Sequence, residues 1–283
     1  MKEIKNYQVL KINIMSIAAL ITCHNRCEKT KRCLSSLLTV MPELKVYLVD
    51  DGSTDGTSEM VNTLFPGVTV LKGDGNLFWS RGMYIAWKEA VKRNYDYYLW
   101  INDDIILHDD FFDEIKSCLD ITGKQSIIVG LIEDKDGNCL YGGHDKQKRQ
   151  IVPNGVPQEI WLMNGNVVLI TKEVVKKIGI IDPRLHHAGA DTDYGLTACE
   201  NGIGVFSTRK YIALGYPNDI HRLRQPGVSI IKRFKHLYSP LGIEPSIAFY
   251  LRKKHFGLFN AMLYWSYIHI INILPDGCVA KKF

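Results

Sequence analysis

The 283-residue sequence has no low-complexity tract and no internal repeat, which argues against a solenoid or a fibre. No segment joins a basic start to an apolar stretch and a small-residue cleavage site, so no signal peptide is expected. Seven cysteines stand at 23, 27, 33, 118, 139, 199 and 278. None forms a CxxC pair with a matching His or Cys cluster. A zinc site is therefore not expected, and reduced thiols in a cytosolic protein are. The body of the chain has no basic stripe interleaved with aromatics, so nucleic acid is not an expected partner. Long apolar runs are scarce as well, with one exception: FGLFNAMLYWSYIHIINIL at 256–274 carries no charge over nineteen residues.

The composition, 46% hydrophobic and 23% charged, is that of a globular chain able to bury one large core or two modest ones. Its charge is uneven. Residues 221–283 hold ten Lys/Arg against Glu244 and Asp276, a net of +8, which leaves −3 for the rest of a chain whose total is +5. A basic tail on a mildly acidic body implies attraction to an anionic surface.

From residue 15 to about 132, short apolar runs alternate with helical patterns. MSIAALITC, LKVYLVD, VTVLK and YDYYLWI read as strands. Helices are predicted near 28–38, across TDGTSEMVNTLF with its cap among Ser53, Thr54 and Asp55, across roughly 79–93, and over DDFFDEIKSCLD with Asp109 or Asp110 as cap. Strands spaced by helices imply right-handed crossovers and a largely parallel sheet, whose ligand sits outside the carboxyl ends of the strands. Beyond 133, short β pieces are expected at 138–144 and 148–152, then a strand leading into a helix over QEIWLMNGNVVLITKEVVKKIG. A loop running into a helix closed by Gly202 follows, and the section from about 228 is helical, basic and aromatic. No linker separates independent domains.

Every early strand ends in polar or glycine-rich chemistry: Thr22-Cys23-His24-Asn25-Arg26, then Asp50-Asp51-Gly52, then GDGNLFWSRG, then Asn102-Asp103-Asp104. Each has a plain reading and a functional one. Asp50 and Asp51 suit a turn, or a carboxylate that accepts from a base N–H or a ribose hydroxyl. Asn102-Asp103-Asp104 suits a polar turn, or a hard divalent cation already chelated by a diphosphate. Asp191 and Asp193 suit the cap and first turn of a helix, or a general base. Arg81 is a surface residue or a diphosphate contact. Asn76 joins the candidate donor-binding set, and His221 is a candidate extra metal ligand. Trp79 and Trp161 are read as packing residues.

Six segments in order, ALITCHNR, LVDDGSTDGT, GDGNLFWSRGM, YYLWINDDI, MNGNVVLI and HHAGADTDYGL, resemble the family 2 glycosyltransferases over roughly 15–215. The subgroup most similar builds bacterial cell-surface polysaccharides and is rhamnosyltransferase-like. The resemblance implies a GT-A (Rossmann-like) α/β fold, a mostly parallel sheet flanked by helices. It implies a nucleotide-diphosphate sugar donor, a divalent metal (Mg²⁺ or Mn²⁺), and inversion at the anomeric carbon during transfer to a glycan or lipid-linked glycan. A catalytic domain over 1–225 would carry a helical, basic extension over 226–283. Residue by residue, Thr22, Asn25 and Arg26 match the first nucleotide-proximal motif, and Asp50 or Asp51 the acid that recognises base and ribose. Asn102, Asp103 and Asp104 match the metal-binding motif, with Asn102 in place of its first acid and Asp104 the principal ligand. Asn164, Gly165 and Asn166 match the segment near donor sugar and acceptor. Asp191 matches the base, with Ala190 where relatives carry Glu and Asp193 as alternative.

Two readings compete with transfer: a catalytically weakened nucleotide- or sugar-binding subunit, encouraged by Asn102 and Ala190, and a sugar-phosphate nucleotidyltransferase. The tail, with a polar stripe of Ser266, His269 and Asn272, is expected to lie in a membrane interface rather than to bury itself or span. That places the protein in the cytoplasm, peripheral on the inner face of the cell membrane.

Overall fold

Strand β1 (Ile17–Cys23) is buried at every position, the pattern of a strand covered on both faces. In the computed structural model, which describes residues 16–217 and 223–278, it lies at the centre of a nine-stranded sheet. Helix α1 (Cys27–Val40) leads to β2 (Lys45–Asp50), α2 (Thr57–Leu64) to β3 (Thr69–Lys72), and α3 (Phe78–Ala90) to β4 (Tyr97–Ile101). Then follow β5 (Ile106–Leu107), α4 (Phe111–Thr122), β6 (Ser126–Glu133), β7 (Cys139–Tyr141), β8 (Gly143–His144), β9 (Leu162–Met163) and β10 (Val167–Thr171). The chain continues through α5 (Lys172–Ile178), α6 (Ala190–Glu200), β11 (Gly204–Leu214), α7 (Ile230–Leu237) and α8 (Pro245–Ile273).

The sheet order is β3-β2-β1-β4-β10-β6-β11-β5, with β7 paired to β6. The first four strands are mutually parallel. β10 is antiparallel to both β4 and β6, while β11 runs parallel to β6. The chain steps outward from β1 to β2 and β3, then returns to the other side of β1 as β4. That reversal opens a crevice at the carboxyl ends of β1, β2 and β4. Alternate β1 residues feed two cores. Ile17, Ala19 and Ile21 pack with Leu34, Leu37 and Phe111 of α1 and α4, whereas Ala18 and Leu20 pack with Met83 and Trp87 of α3.

The elements of the first half stand where the periodicity puts them, and the departures are local. The α2 cap position falls on Gly56 in the left-handed region rather than on Ser53, Thr54 or Asp55. Asp55 instead accepts from the Thr57 amide at 3.2 Å, a turn that feeds the helix. Asp110 holds the cap position of α4 but makes no capping bond, because its carboxylate is drawn to Lys210. The β piece expected at 148–152 is reduced to one bridge between Gln150 and His144.

The tail departs further. Among the described residues no helix is long and apolar enough to cross a membrane. Helix α8 bends at Gly257, whose φ of 85° and ψ of 167° are non-helical. The expected polar stripe does not form a solvent face. Asn272 is fully buried, donating to the carbonyls of Leu223 at 3.0 Å and Ile268 at 2.7 Å. His269 is 2.7 Å from the Tyr238 hydroxyl, and only Ser266 is exposed. Arg224 and Arg233 draw the stripe inward, donating to the Ile271 and Leu274 carbonyls and pairing with Asp276. What faces outward is apolar: Phe259, Met262, Leu263, Ile270 and Ile273, at i, i+3 and i+4 intervals on one side of the helix.

Candidate active site

A cavity of about 690 Å³ opens at the carboxyl ends of β1, β2 and β4. That volume suits a ligand of several rings. The cavity lining includes Thr22, Arg26, Asp51, Asn102, Asp103 and Asp104 from the first half of the chain and Asn164, Gly165, Asn166 and Asp191 from the second. Thr22 sits where α3 presses on β1: a Cβ on Gly82 would lie 2.3 Å from the Thr22 hydroxyl, so only glycine lets the helix approach.

The Asp50 carboxylate, 4% exposed, accepts from the Ser53 amide at 3.0 Å and from the Ser58 hydroxyl. It braces the β2 turn and does not line the cavity. Asp51 accepts from the amides of Gly75 at 2.8 Å, Leu77 at 3.0 Å and Phe78 at 2.9 Å. Its grip holds Phe78 at a φ of 53°, a left-handed conformation costly for an aromatic residue. The rings of His186 and His187 pack on Phe78 at 4.9 and 5.6 Å.

The second acid pair is held differently. One Arg26 nitrogen, Nη1, donates to Asp103 Oδ1 at 3.0 Å and to Asp104 Oδ2 at 3.1 Å. Burial pushes the Asp103 carboxyl up to about 6 despite the pull of Arg26. Burial works against the Arg26 charge too, but the two carboxylates outweigh it and raise its pKa. Beside them Asn102 is spoken for: its Oδ1 accepts from Trp79 Nε1 at 2.7 Å and its Nδ2 donates to Asn166 Oδ1 at 2.6 Å.

Asp191 also lines the cavity, in the first turn of α6 behind Gly189, whose φ is 86°. Its Oδ2 accepts from the Gly165 amide at 3.0 Å and its Oδ1 from the Thr192 amide at 2.8 Å. These bonds fix the carboxylate at the cavity edge. Two residues on, Asp193 faces the other way. It is 4% exposed and takes Lys254 at 2.6 Å and His255 at 2.8 Å, both from α8. The alternative base is thus a docking residue for the tail.

The remaining sequence candidates scatter. Asn25 ties loop to loop, its Oδ1 accepting from the Thr54 amide at 2.8 Å, and does not line the cavity. Asn76 contributes its carbonyl to His186 Nε2 at 2.9 Å, and neither Asn76 nor Arg81 lines the cavity. His221 lies outside the described residues, and among those described no cluster of three or more His, Cys, Asp or Glu could hold a metal. Trp161 packs on Phe256 as expected of a packing residue. Trp79, expected to be a packing residue too, stands on the cavity wall, as does His187, to which no motif in the sequence assigns a role. The available signal was position: Trp79 follows the Gly-rich end of β3, where the other strands also present their chemistry.

A doubly covered α/β sheet with a strand-end cavity walled by Asp103, Asp104 and Asp191 is the architecture of a GT-A transferase. The family described as glycosyl transferase family 2 matches residues 18–181, more than half the sequence, and the chain belongs to that family: it is a glycosyltransferase. Among curated relatives it is similar to the poly-beta-1,6-N-acetyl-D-glucosamine synthase of Staphylococcus epidermidis, 29% identical over 99 residues, covering 34% of this chain and 24% of the synthase. The match therefore spans about a quarter of that relative's length. Among solved structures, S. aureus TarS 1–349 aligns with a TM-score of 0.57 at 13% identity over 95% of this chain and 76% of that one. GalNAc-T7 crystallised with UDP, GalNAc and Mn2+ aligns at 0.57 and 13% identity over 90% and 57%. These likenesses concern the fold.

Proposed function

We propose that the protein moves a sugar from a nucleotide-diphosphate sugar to a hydroxyl of a glycan or lipid-linked glycan in surface polysaccharide synthesis, with inversion. The observation that carries this reading is that Asp103, Asp104 and Asp191 line one cavity large enough for donor and acceptor. The donor set fits a divalent cation: Asp103 and Asp104 offer hard carboxylate oxygens, and Mg²⁺ or Mn²⁺ keeps few protein ligands when a diphosphate completes its shell. Asp104 is the principal ligand and Asp103 its neighbour; Asn102, engaged by Trp79 and Asn166, shapes the wall instead. When bound, the cation supplies positive charge against the departing diphosphate. Thr22 and Asp51 border the nucleotide side. Asp191, aimed by Gly165 and Thr192, removes the proton from the acceptor hydroxyl across the donor sugar. Asn164 and Gly165 wall off water on the acceptor side.

The basic extension from 226 onward serves as a platform on an anionic membrane surface at the inner face of the cell membrane, where a lipid-linked acceptor is presented. The exposed apolar stripe of α8, with Phe259 76% exposed, and the exposed Lys232, Lys235 and Lys253 support that role. Binding to vesicles with anionic lipid at low salt, lost in Phe259→Asp, is the expected result; indifference of the native protein to such vesicles removes the membrane from the reading.

The central test is nucleotide release from a panel of nucleotide-sugars with Mn²⁺ or Mg²⁺ and glycan acceptors. Release of a nucleoside diphosphate with acceptor elongation is expected. Pyrophosphate as product would indicate a nucleotidyltransferase, and binding without turnover a carrier subunit.

A further inference from the structure

Asp103 and Asp104 are adjacent, largely buried carboxylates that face one cavity, and both are salt-bridged by one guanidinium nitrogen of Arg26, with Lys29 adding a smaller, unbridged charge. The same chain shows how it builds a permanent Arg–carboxylate pair. Arg209 grips Glu114 through its backbone amide, its Nε and its Nη2, at 2.8, 3.1 and 2.7 Å, and the Glu114 side chain is 3% exposed. Arg26 uses none of that fork. Both of its bonds leave from Nη1, and its side chain is 43% exposed at the mouth of the site. A planar fork spent on one nitrogen is a weak hold for an arginine. Its long stem starts at the cap residue of α1, so letting go of the carboxylates breaks no helical hydrogen bond of that side chain.

From this geometry we infer that Arg26 is an internal stand-in for the divalent cation, and that it exchanges the two aspartates for the donor diphosphate when cation and donor arrive. The inference rests on the proposed transfer reaction and adds an order of events to it. Charge bookkeeping supports the exchange. Arg26, Asp103 and Asp104 together carry one net negative charge. A divalent cation and a diphosphate diester are neutral as a pair, so their joint arrival leaves that balance unchanged. The cation alone does not: with Arg26 in place, three positive charges crowd two carboxylates, and like charges at this separation repel strongly in a partly buried site. Arg26 therefore disfavours the bare cation and favours the cation–donor pair, onto whose diphosphate its fork can close with both nitrogens. The site stays closed to free metal and stays charge-compensated while empty of donor.

The test is a thermodynamic cycle read by calorimetry or by Mn²⁺ electron paramagnetic resonance, with no turnover required. Mn²⁺ is titrated into the native protein alone and with UDP, GDP or dTDP, and then into Arg26→Gln. Native protein is expected to bind Mn²⁺ weakly alone and at least about tenfold more tightly with the nucleotide that binds. Arg26→Gln is expected to bind Mn²⁺ alone about tenfold more tightly than native and to lose most of the coupling. Arg26→Lys, which keeps the charge without the fork, is expected to resemble native towards Mn²⁺ alone. The exchange is overturned if Arg26→Gln binds Mn²⁺ alone no better than native, or if its coupling to nucleotide is unchanged. It is overturned without any variant if native protein binds Mn²⁺ equally with and without nucleotide. Should no nucleoside diphosphate bind under any condition, the transferase reading fails, while the Mn²⁺-alone comparison still decides the role of Arg26.

Discussion

Two pairs of adjacent aspartates end the strands on either side of β1, and they are alike in sequence and opposite in use. Asp50 and Asp51 are satisfied by neutral donors: the Ser53 amide and the Ser58 hydroxyl for one, the amides of Gly75, Leu77 and Phe78 for the other. Asp103 and Asp104 share a cation, the guanidinium of Arg26, and apart from a long 3.4 Å bond from the Thr30 hydroxyl to Asp103 it is their side-chain partner. At these two strand ends, the pair bridged by a partly exposed cation is the candidate ligand site, and the pair met by fixed dipoles builds the scaffold. Asp191 and Asp193 divide the other way within one helix: backbone amides hold the first at the cavity, and the charges of Lys254 and His255 lock the second against α8, so there the surface each residue faces decides its use.

The comparison breaks most sharply at Asp104. Asp104→Ala is expected to lower turnover by about 10²–10³-fold or more, with loss of Mn²⁺ binding, while thermal stability stays at or above native because a like-charge contact disappears. A loss of stability comparable to that of a core mutation would make Asp104 a scaffold residue like Asp50. Next comes Asp191→Asn. It keeps an oxygen for the Gly165 amide, so donor affinity should persist while turnover falls by about 10²–10⁴-fold; full turnover removes Asp191 as base. Asp51→Asn reverses the pattern. It sets an amide group among three N–H donors and is expected to cost about 1–3 kcal/mol in denaturant unfolding, with a smaller effect on turnover through the loosened 75–78 loop.

The smallest expected effect concerns Asp193. Burial alone would lower the His255 pKa, but hydrogen bonds and charge from Asp193 and Glu200 outweigh it and hold it above its usual 6.5. A histidine raised on folding stabilises fully below its unfolded pKa and loses that contribution as pH rises through the folded value. Docking of α8 on α6 should therefore weaken as pH rises above 6.5 and through the raised pKa of the folded protein. Hydrogen exchange of residues 245–256 reads this directly, and His255→Gln should flatten the profile. Lys254, on the same carboxylate, keeps part of the dock at every pH and limits the size of the change.

Much of this could be read without coordinates. The strand–helix alternation of the first half was legible because buried parallel strands are continuous apolar runs bounded by polar ends, and β1, β2 and β4 follow that pattern closely. Their shared polar edge pointed to the cavity. The division of labour inside each acid pair was not legible, since Asp50 and Asp51 differ in which amides and hydroxyls fold back to meet them. The tail misled for a related reason. A stripe of Ser266, His269 and Asn272 is polar by spacing, but which side of a helix faces solvent depends on partners far away in sequence, here Tyr238, Arg224 and Arg233.

By itself, then, the sequence determined the layered α/β sheet, the edge that carries chemistry and the family, because local periodicity and ordered motifs are properties of contiguous residues. Only the tertiary structure decided that Asp51 clamps a loop while Arg26 bridges Asp103 and Asp104, that Asp193 serves α8 rather than the cavity, and that the tail turns its apolar side outward. Each of those outcomes depends on a hydrogen bond or ion pair between residues brought together from distant parts of the chain, and pairings of that kind are set by how the layers pack.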